Sequence, residues 1–104
     1  MKKDSLRDFV FDQLRELRGL ECRAMFGGFG LYAGGKFFAI RFQGRLYFRT
    51  DATTRATYVE LGMKPFCPNA RQQLKSYYEV PADVIENADE LDAWARTAVN
   101  TVKK

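Results

Sequence analysis

Residues 25–50 read MFGGFGLYAGGKFFAIRFQGRLYFRT. The sheet at the centre of the fold is built from them. Six of the chain's eight glycines lie here, and they divide the segment into three short β-rich runs. Phe29 to Ala33 and Lys36 to Phe42 flank Gly34-Gly35. A Gly-Gly pair between two such runs signals a hairpin, because the tight hairpin turns need positive φ. A two-residue loop places Ala33 opposite Lys36 and Tyr32 opposite Phe37. It also sets Leu31 against Phe38 and Phe29 against Ile40.

The second turn is set by the apolar pattern. A two-residue loop at Gln43-Gly44 would oppose Ile40 to Tyr47 and turn Leu46 and Phe48 away from Phe38 and Ile40. One residue of slip flips a strand's whole apolar set. A three-residue loop, 42–44, with Gly44 left-handed in a bulge restores one apolar face. That face is Phe29, Leu31, Phe38, Ile40, Leu46 and Phe48. The opposite face carries Tyr32, Phe37, Arg41, Arg45, Tyr47 and Arg49, with Arg41 and Arg45 directly opposed.

The chain has 104 residues, 46% hydrophobic and 14% aromatic, enough for one domain spanning 1–104 with a core of its own. No run approaches about 18 consecutive apolar residues, so no membrane helix is expected. Met1-Lys2-Lys3 resembles the start of a signal peptide, but Asp4 and Arg7 interrupt the apolar stretch it would need. The expected location is cytoplasmic, with Cys22 and Cys67 as two thiols. The net charge is +4. Residues 25–50 carry only positive charge, whereas residues 76–95 carry only negative charge, from Glu79 to Asp92. Internal charge balance is the simplest reading, with partner steering the alternative.

The flanks read as helices and two further strands. Ser5 is a candidate cap for a helix over 6–18, striped by Leu6, Phe9, Val10, Leu14 and Leu17, with Gly19 after its end. Residues 23–26 lead toward Gly27-Gly28 as the start of a strand. Asp51 caps a helix over 52–61 closed by Gly62. Pro65 and Pro68 confine Phe66-Cys67 to an edge strand. Residues 74–80 form the last strand. Pro81 opens a helical turn through Ile85. Asn87 and Glu90 fit a capping box for a helix over 88–102, striped by Leu91, Trp94, Ala95, Ala98, Val99 and Val102. The order α-β-β-β-α-β-β-α-α describes an α+β fold: a five-stranded antiparallel sheet with helices mainly on one face.

The chemical inventory is sparse. The chain has no histidine, so the commonest general base and metal ligand are missing. Two separated cysteines do not make a zinc site, and Cys22 has no histidine to activate it. Gly27-Gly28-Phe29-Gly30 leads into a strand, so it fits a tight bend and close strand packing better than a phosphate loop. No catalytic, cofactor-binding or metal-binding residue is expected. The candidate site is the face with Tyr32, Phe37, Arg41, Arg45, Tyr47 and Arg49. Aromatic and arginine side chains suit a protein interface. They also suit stacking of single-stranded nucleic acid, although no RRM, KH or helix-turn-helix signature is present. A partly covered second sheet face is the plainest account.

Several blocks together resemble the TfoX N-terminal domain family, relatives of the TfoX/Sxy competence regulators of bacteria. They are Met25-Phe26-Gly27-Gly28-Phe29-Gly30-Leu31-Tyr32, Gly44-Arg45-Leu46-Tyr47-Phe48, Pro65-Phe66, Ser76-Tyr77-Tyr78-Glu79-Val80-Pro81 and Leu91-Asp92-Ala93-Trp94-Ala95. The resemblance implies an α+β fold of the secretion-chaperone-like kind and a role in transcription regulation. Full-length members help a cyclic-AMP receptor protein activate competence promoters. The sequence ends after the N-terminal domain, so a stand-alone member is expected, and its 67–74 hairpin is shorter than the family's usual connection. The family supplies no catalytic residue to carry over. The expectation is a non-enzymatic domain whose partner is a protein, the transcription machinery foremost. A second copy of the chain is an alternative, and direct nucleic-acid binding is the runner-up. An enzyme or small-ligand binder ranks last.

Overall fold

A computed structural model describes residues 5–25, 27–69 and 71–102. The elements run α1 (Ser5–Gln13), β1 (Leu20–Met25), β2 (Gly28–Ala33), β3 (Lys36–Phe42), β4 (Arg45–Arg49), α2 (Ala52–Glu60), β5 (Pro65–Asn69), β6 (Gln72–Glu79), α3 (Ala82–Ile85) and α4 (Ala88–Thr101). The fold is α+β, as expected. All strands pair antiparallel in one six-stranded sheet, ordered β1-β2-β3-β4-β6-β5. The sixth strand is β1, the segment expected only to lead toward Gly27. It forms a hairpin with β2 in unbroken register from Leu20↔Ala33 to Met25↔Gly28. Phe26, the expected end of that segment, lies outside the described residues.

Local chemistry accounts for the helix ends. The Thr54 backbone N–H donates to Asp51 Oδ1 at 2.9 Å, and the Asp51 N–H donates to Thr54 Oγ1 at 2.9 Å. This reciprocal box satisfies donors that the first turn of α2 leaves open. The Glu90 N–H donates to Asn87 Oδ1 at 3.1 Å at the start of α4. Helix α1 stops at Gln13, earlier than expected. The chain then tightens, with Arg15 bonded back to Asp12 and Leu17 to Leu14. The turns still bury Leu14 and Leu17.

The register corrects the sequence reading in two linked places. Ala33↔Lys36 and Tyr32↔Phe37 pair as expected, but Leu31 faces Ala39, so Phe38 is an extra residue in β3. This is a bulge, and Phe38 and Ala39 both enter the helix-side core. Downstream of it the phase of β3 is inverted. Phe29 therefore faces Arg41 rather than Ile40, and Ile40 joins a second cluster on the other face. The turn to β4 is then the two-residue loop rejected above: Phe42 faces Arg45, Arg41 faces Leu46 and Ile40 faces Tyr47. Gln43 has φ 52 and Gly44 φ 78, the signature of a primed turn rather than a three-residue loop with a bulge.

Gly44 therefore holds the left-handed conformation for a different reason than expected. A Cβ there would meet nothing within 4 Å, so a substitution acts only through the backbone. Gly44→Val is expected to destabilise by about 1–2 kcal/mol, the cost of left-handed φ for a residue with a Cβ. A urea midpoint unchanged by the substitution would refute the primed turn.

The main core lies between the sheet and the helices. Phe38, Phe48, Leu31, Leu46, Val10, Leu14, Leu91 and Ala95 are buried together. Helix α4 packs across β3 and β4. Sequence reading placed Phe38, Leu46 and Phe48 here correctly and Ile40 wrongly. At Gly28 an added Cβ would collide with the Arg41 carbonyl oxygen. Close strand packing, not phosphate, thus explains a glycine there.

Candidate functional site: the helix-free sheet face

Outside the bulge at Phe38 and the irregular β5, alternation sends every second side chain to the face without helices. At one end, Arg23 stands over Tyr32, its guanidinium carbon 4.8 Å from the ring centroid. Tyr32 stacks on Phe37 at 5.1 Å, and Phe37 meets Tyr77 at 5.5 Å. The Tyr77 hydroxyl donates to the Phe37 carbonyl at 3.4 Å. Burial raises the Tyr77 phenol above its ordinary pKa, while hydrogen bonding and charge from Arg49 pull the other way. The result is a partly exposed strip running Arg23–Tyr32–Phe37 and ending on Tyr77 and Arg49.

The other end is closed. The β5–β6 pairing carries two irregularities around Phe66. Phe66 is fully buried and meets Tyr47 at 4.8 Å and Phe42 at 5.3 Å, both edge-on. Ile40, Tyr47, Phe66 and Tyr77 form a second, smaller core. Arg45 bonds Glu79 at 2.8 Å. Burial raises the Tyr47 phenol, with Glu79 adding to the shift and Arg45 opposing it.

Five of the six expected site residues share this face: Tyr32, Phe37, Arg45, Tyr47 and Arg49. Tyr47 is buried within the second core, so it is structural rather than a contact residue. Arg41 is not on this face. The two-residue turn aligns it with Leu46 on the helix side, where its guanidinium carbon lies 5.9 Å from the Phe29 ring. The expected opposition of Arg41 and Arg45 does not occur. Acidic relief of Arg45 does occur, and it comes from Glu79 of the same chain. Sequence reasoning missed Arg23, although β1 alternates Leu20 and Cys22 with Glu21 and Arg23. It also missed Phe66, whose place depends on the irregular pairing of β5.

A second concavity, about 190 Å³, lies between α2 and α4. It is lined by Arg49, Thr54, Thr57, Tyr58, Trp94, Thr97 and Ala98. The Thr54 hydroxyl accepts from Asp51, and the Thr97 hydroxyl donates to Ala93. The groove contains no acid–base pair. Tyr58 packs edge-on to Trp94 at 5.0 Å, and burial alone holds its phenol well above the ordinary tyrosine value. A raised folded pKa means that the contribution of the neutral phenol is complete below the unfolded value near 10. It is lost as pH rises through the folded value. Ultraviolet titration should therefore show Tyr58 ionising only with alkaline unfolding, and Tyr58→Phe should delete that late phase. Ionisation of all five tyrosines together near 10, before unfolding, would contradict the burial.

Cys22 is half-buried, Cys67 is exposed, and neither forms a disulfide. Among the described residues, no group of three or more His, Cys, Asp or Glu could hold a metal ion. The profile of the TfoX N-terminal domain matches residues 12–102. The chain belongs to the TfoX N-terminal domain family. The match covers every strand, so both sheet faces lie within the TfoX N-terminal domain. No curated protein matches the chain.

Proposed function

We propose that this TfoX N-terminal domain is a non-enzymatic regulatory module that binds a protein of the bacterial transcription machinery through its helix-free face. The observation that carries the reading is the strip Arg23–Tyr32–Phe37, left half-open beside the covered cluster of Ile40, Tyr47, Phe66 and Tyr77. Aromatic and arginine side chains are enriched in protein interfaces. No helix of the described residues is long and apolar enough to cross a membrane, which accords with a cytoplasmic role. Direct nucleic-acid binding is weaker on this geometry. Arg45 is engaged by Glu79 and Arg41 sits on the other side of the sheet, so the expected basic cluster is dispersed.

Two titrations test the reading. Purified domain is titrated with a cyclic-AMP receptor protein, the partner class implied by the family, and separately with single- and double-stranded DNA. Protein binding weakened about tenfold by Tyr32→Ala, with the melting temperature held within a few degrees, is expected. No measurable DNA affinity is expected at physiological salt. Salt-sensitive micromolar DNA binding would instead put nucleic acid first.

A further inference from the structure

The two edges of the sheet differ in kind. Strand β5 carries Pro65 and Pro68, which cannot donate to a ladder and mark a guarded edge. Strand β1, six residues long, has no proline. The bonding of β1 to β2 fixes which of its groups point outward. Gly34 N–H donates to the Gly19 carbonyl, one step beyond Leu20↔Ala33. Directly opposed residues bond only at alternate positions. Glu21, Arg23 and Met25 therefore turn their backbone groups toward β2. Leu20, Cys22 and Ala24 turn theirs toward the outer edge.

We propose that a second copy of this chain pairs antiparallel with β1, in the single register that sets Cys22 opposite its own copy. Backbone geometry and charge select this register together. A one-residue slip opposes outward groups to inward ones and forms no ladder. The next permitted registers oppose Glu21 to itself or Arg23 to itself, and directly opposed like charges are unfavourable. The register centred on Cys22 instead opposes Glu21 to Arg23 of the partner, twice by symmetry. Leu20 then faces Ala24, and the pairs Leu20–Ala24, Cys22–Cys22 and Ala24–Leu20 each exchange two backbone hydrogen bonds.

The existing contact between these charges does not oppose this exchange. Within the chain, Arg23 and Glu21 are 3.6 Å apart with side chains 66% and 63% exposed. Such a long surface pair contributes little and is readily replaced by a cross-strand one. The self-complementary pattern explains why β1 carries one charge of each sign rather than the like charges that guard an edge. The pairing would also join the two helix-free faces, placing both Arg23–Tyr32 pairs near the two-fold axis. It does not depend on the partner-binding role of that face.

Sedimentation velocity over a range of concentrations at low salt tests the proposal. Wild-type chain is expected to dimerise. Glu21→Arg and Arg23→Glu alone should each weaken the dimer about tenfold or more, because two attractive pairs become two repulsive ones. The exchange Glu21→Arg with Arg23→Glu should restore affinity to within about threefold. Ala24→Pro should abolish the dimer while sparing the fold, since it removes an outward N–H and edge strands tolerate proline. Circular dichroism melts confirm that each variant is folded. A wild-type chain that stays monomeric at high concentration overturns the proposal. So does a dimer indifferent to the single reversals and to Ala24→Pro. Failure of the exchange to rescue overturns the register. An extended peptide captured at β1 by monomeric chain would assign the edge to another partner.

Discussion

Truncating Phe38 to alanine is expected to remove about 3–5 kcal/mol of folding free energy. The side chain is fully buried, with its ring 5.7 Å from that of Phe48. It is the extra residue of the bulge and has no directly opposed residue in β2. The loss is therefore transfer free energy plus a cavity that α4 and β3, held by the sheet, can fill only in part. A domain of this size has a total stability of roughly 5–15 kcal/mol, so the change is a large share of it. Urea denaturation should show a lower midpoint with an unchanged slope. The exposed Val59, at 55%, is the control: Val59→Ala should change stability by less than about 0.5 kcal/mol. A loss below about 1 kcal/mol for Phe38→Ala would mean that the bulge does not hold this ring in the core.

Phe66→Ala should cost a similar amount, about 3–5 kcal/mol, although Phe66 lies on the face without helices. Its ring is fully buried against Tyr47 and Phe42, and edge-on aromatic contacts add to the area term. A sheet face open to water would make the same truncation nearly silent. The variant also carries an internal reporter. Burial is the largest cause of the raised Tyr47 phenol, so removing the covering ring should bring that group back toward the ordinary tyrosine value. Unfolding curves and a Tyr47 titration that both match wild type would show that β5 does not cover this face.

Nearest-neighbour chemistry was legible in the amino-acid order. Gly34-Gly35 made its hairpin, with Ala33 opposite Lys36. Asp51 capped α2 and Asn87 capped α4. The apolar stripe of α4 buried Leu91, Ala95 and Ala98. These features depend on residues within one turn of each other, so short-range sterics and hydrogen bonding decide them. The family blocks were equally readable, and with them the fold class.

The register of β3 was not readable in this way. Phe37, Phe38, Ala39 and Ile40 are four apolar residues in a row, and a period of two cannot say which pair shares a face. Sequence reading takes the register that gives one continuous apolar face, and so moves the irregularity into the following turn. The chain instead places it at Phe38 and Ala39 opposite Leu31, because both faces of β3 are covered. The cover on the second face is Phe66, twenty-four residues beyond Phe42 and paired through an irregular edge strand. That same choice sent Arg41 to the helix side, buried Tyr47 and left Glu79 beside Arg45. Amino-acid order alone thus determined the Gly34-Gly35 turn, the caps, the α4 stripe and the family. Tertiary structure alone decided which aromatic and charged groups share the open face, because that depends on burial by distant strands rather than on local preference.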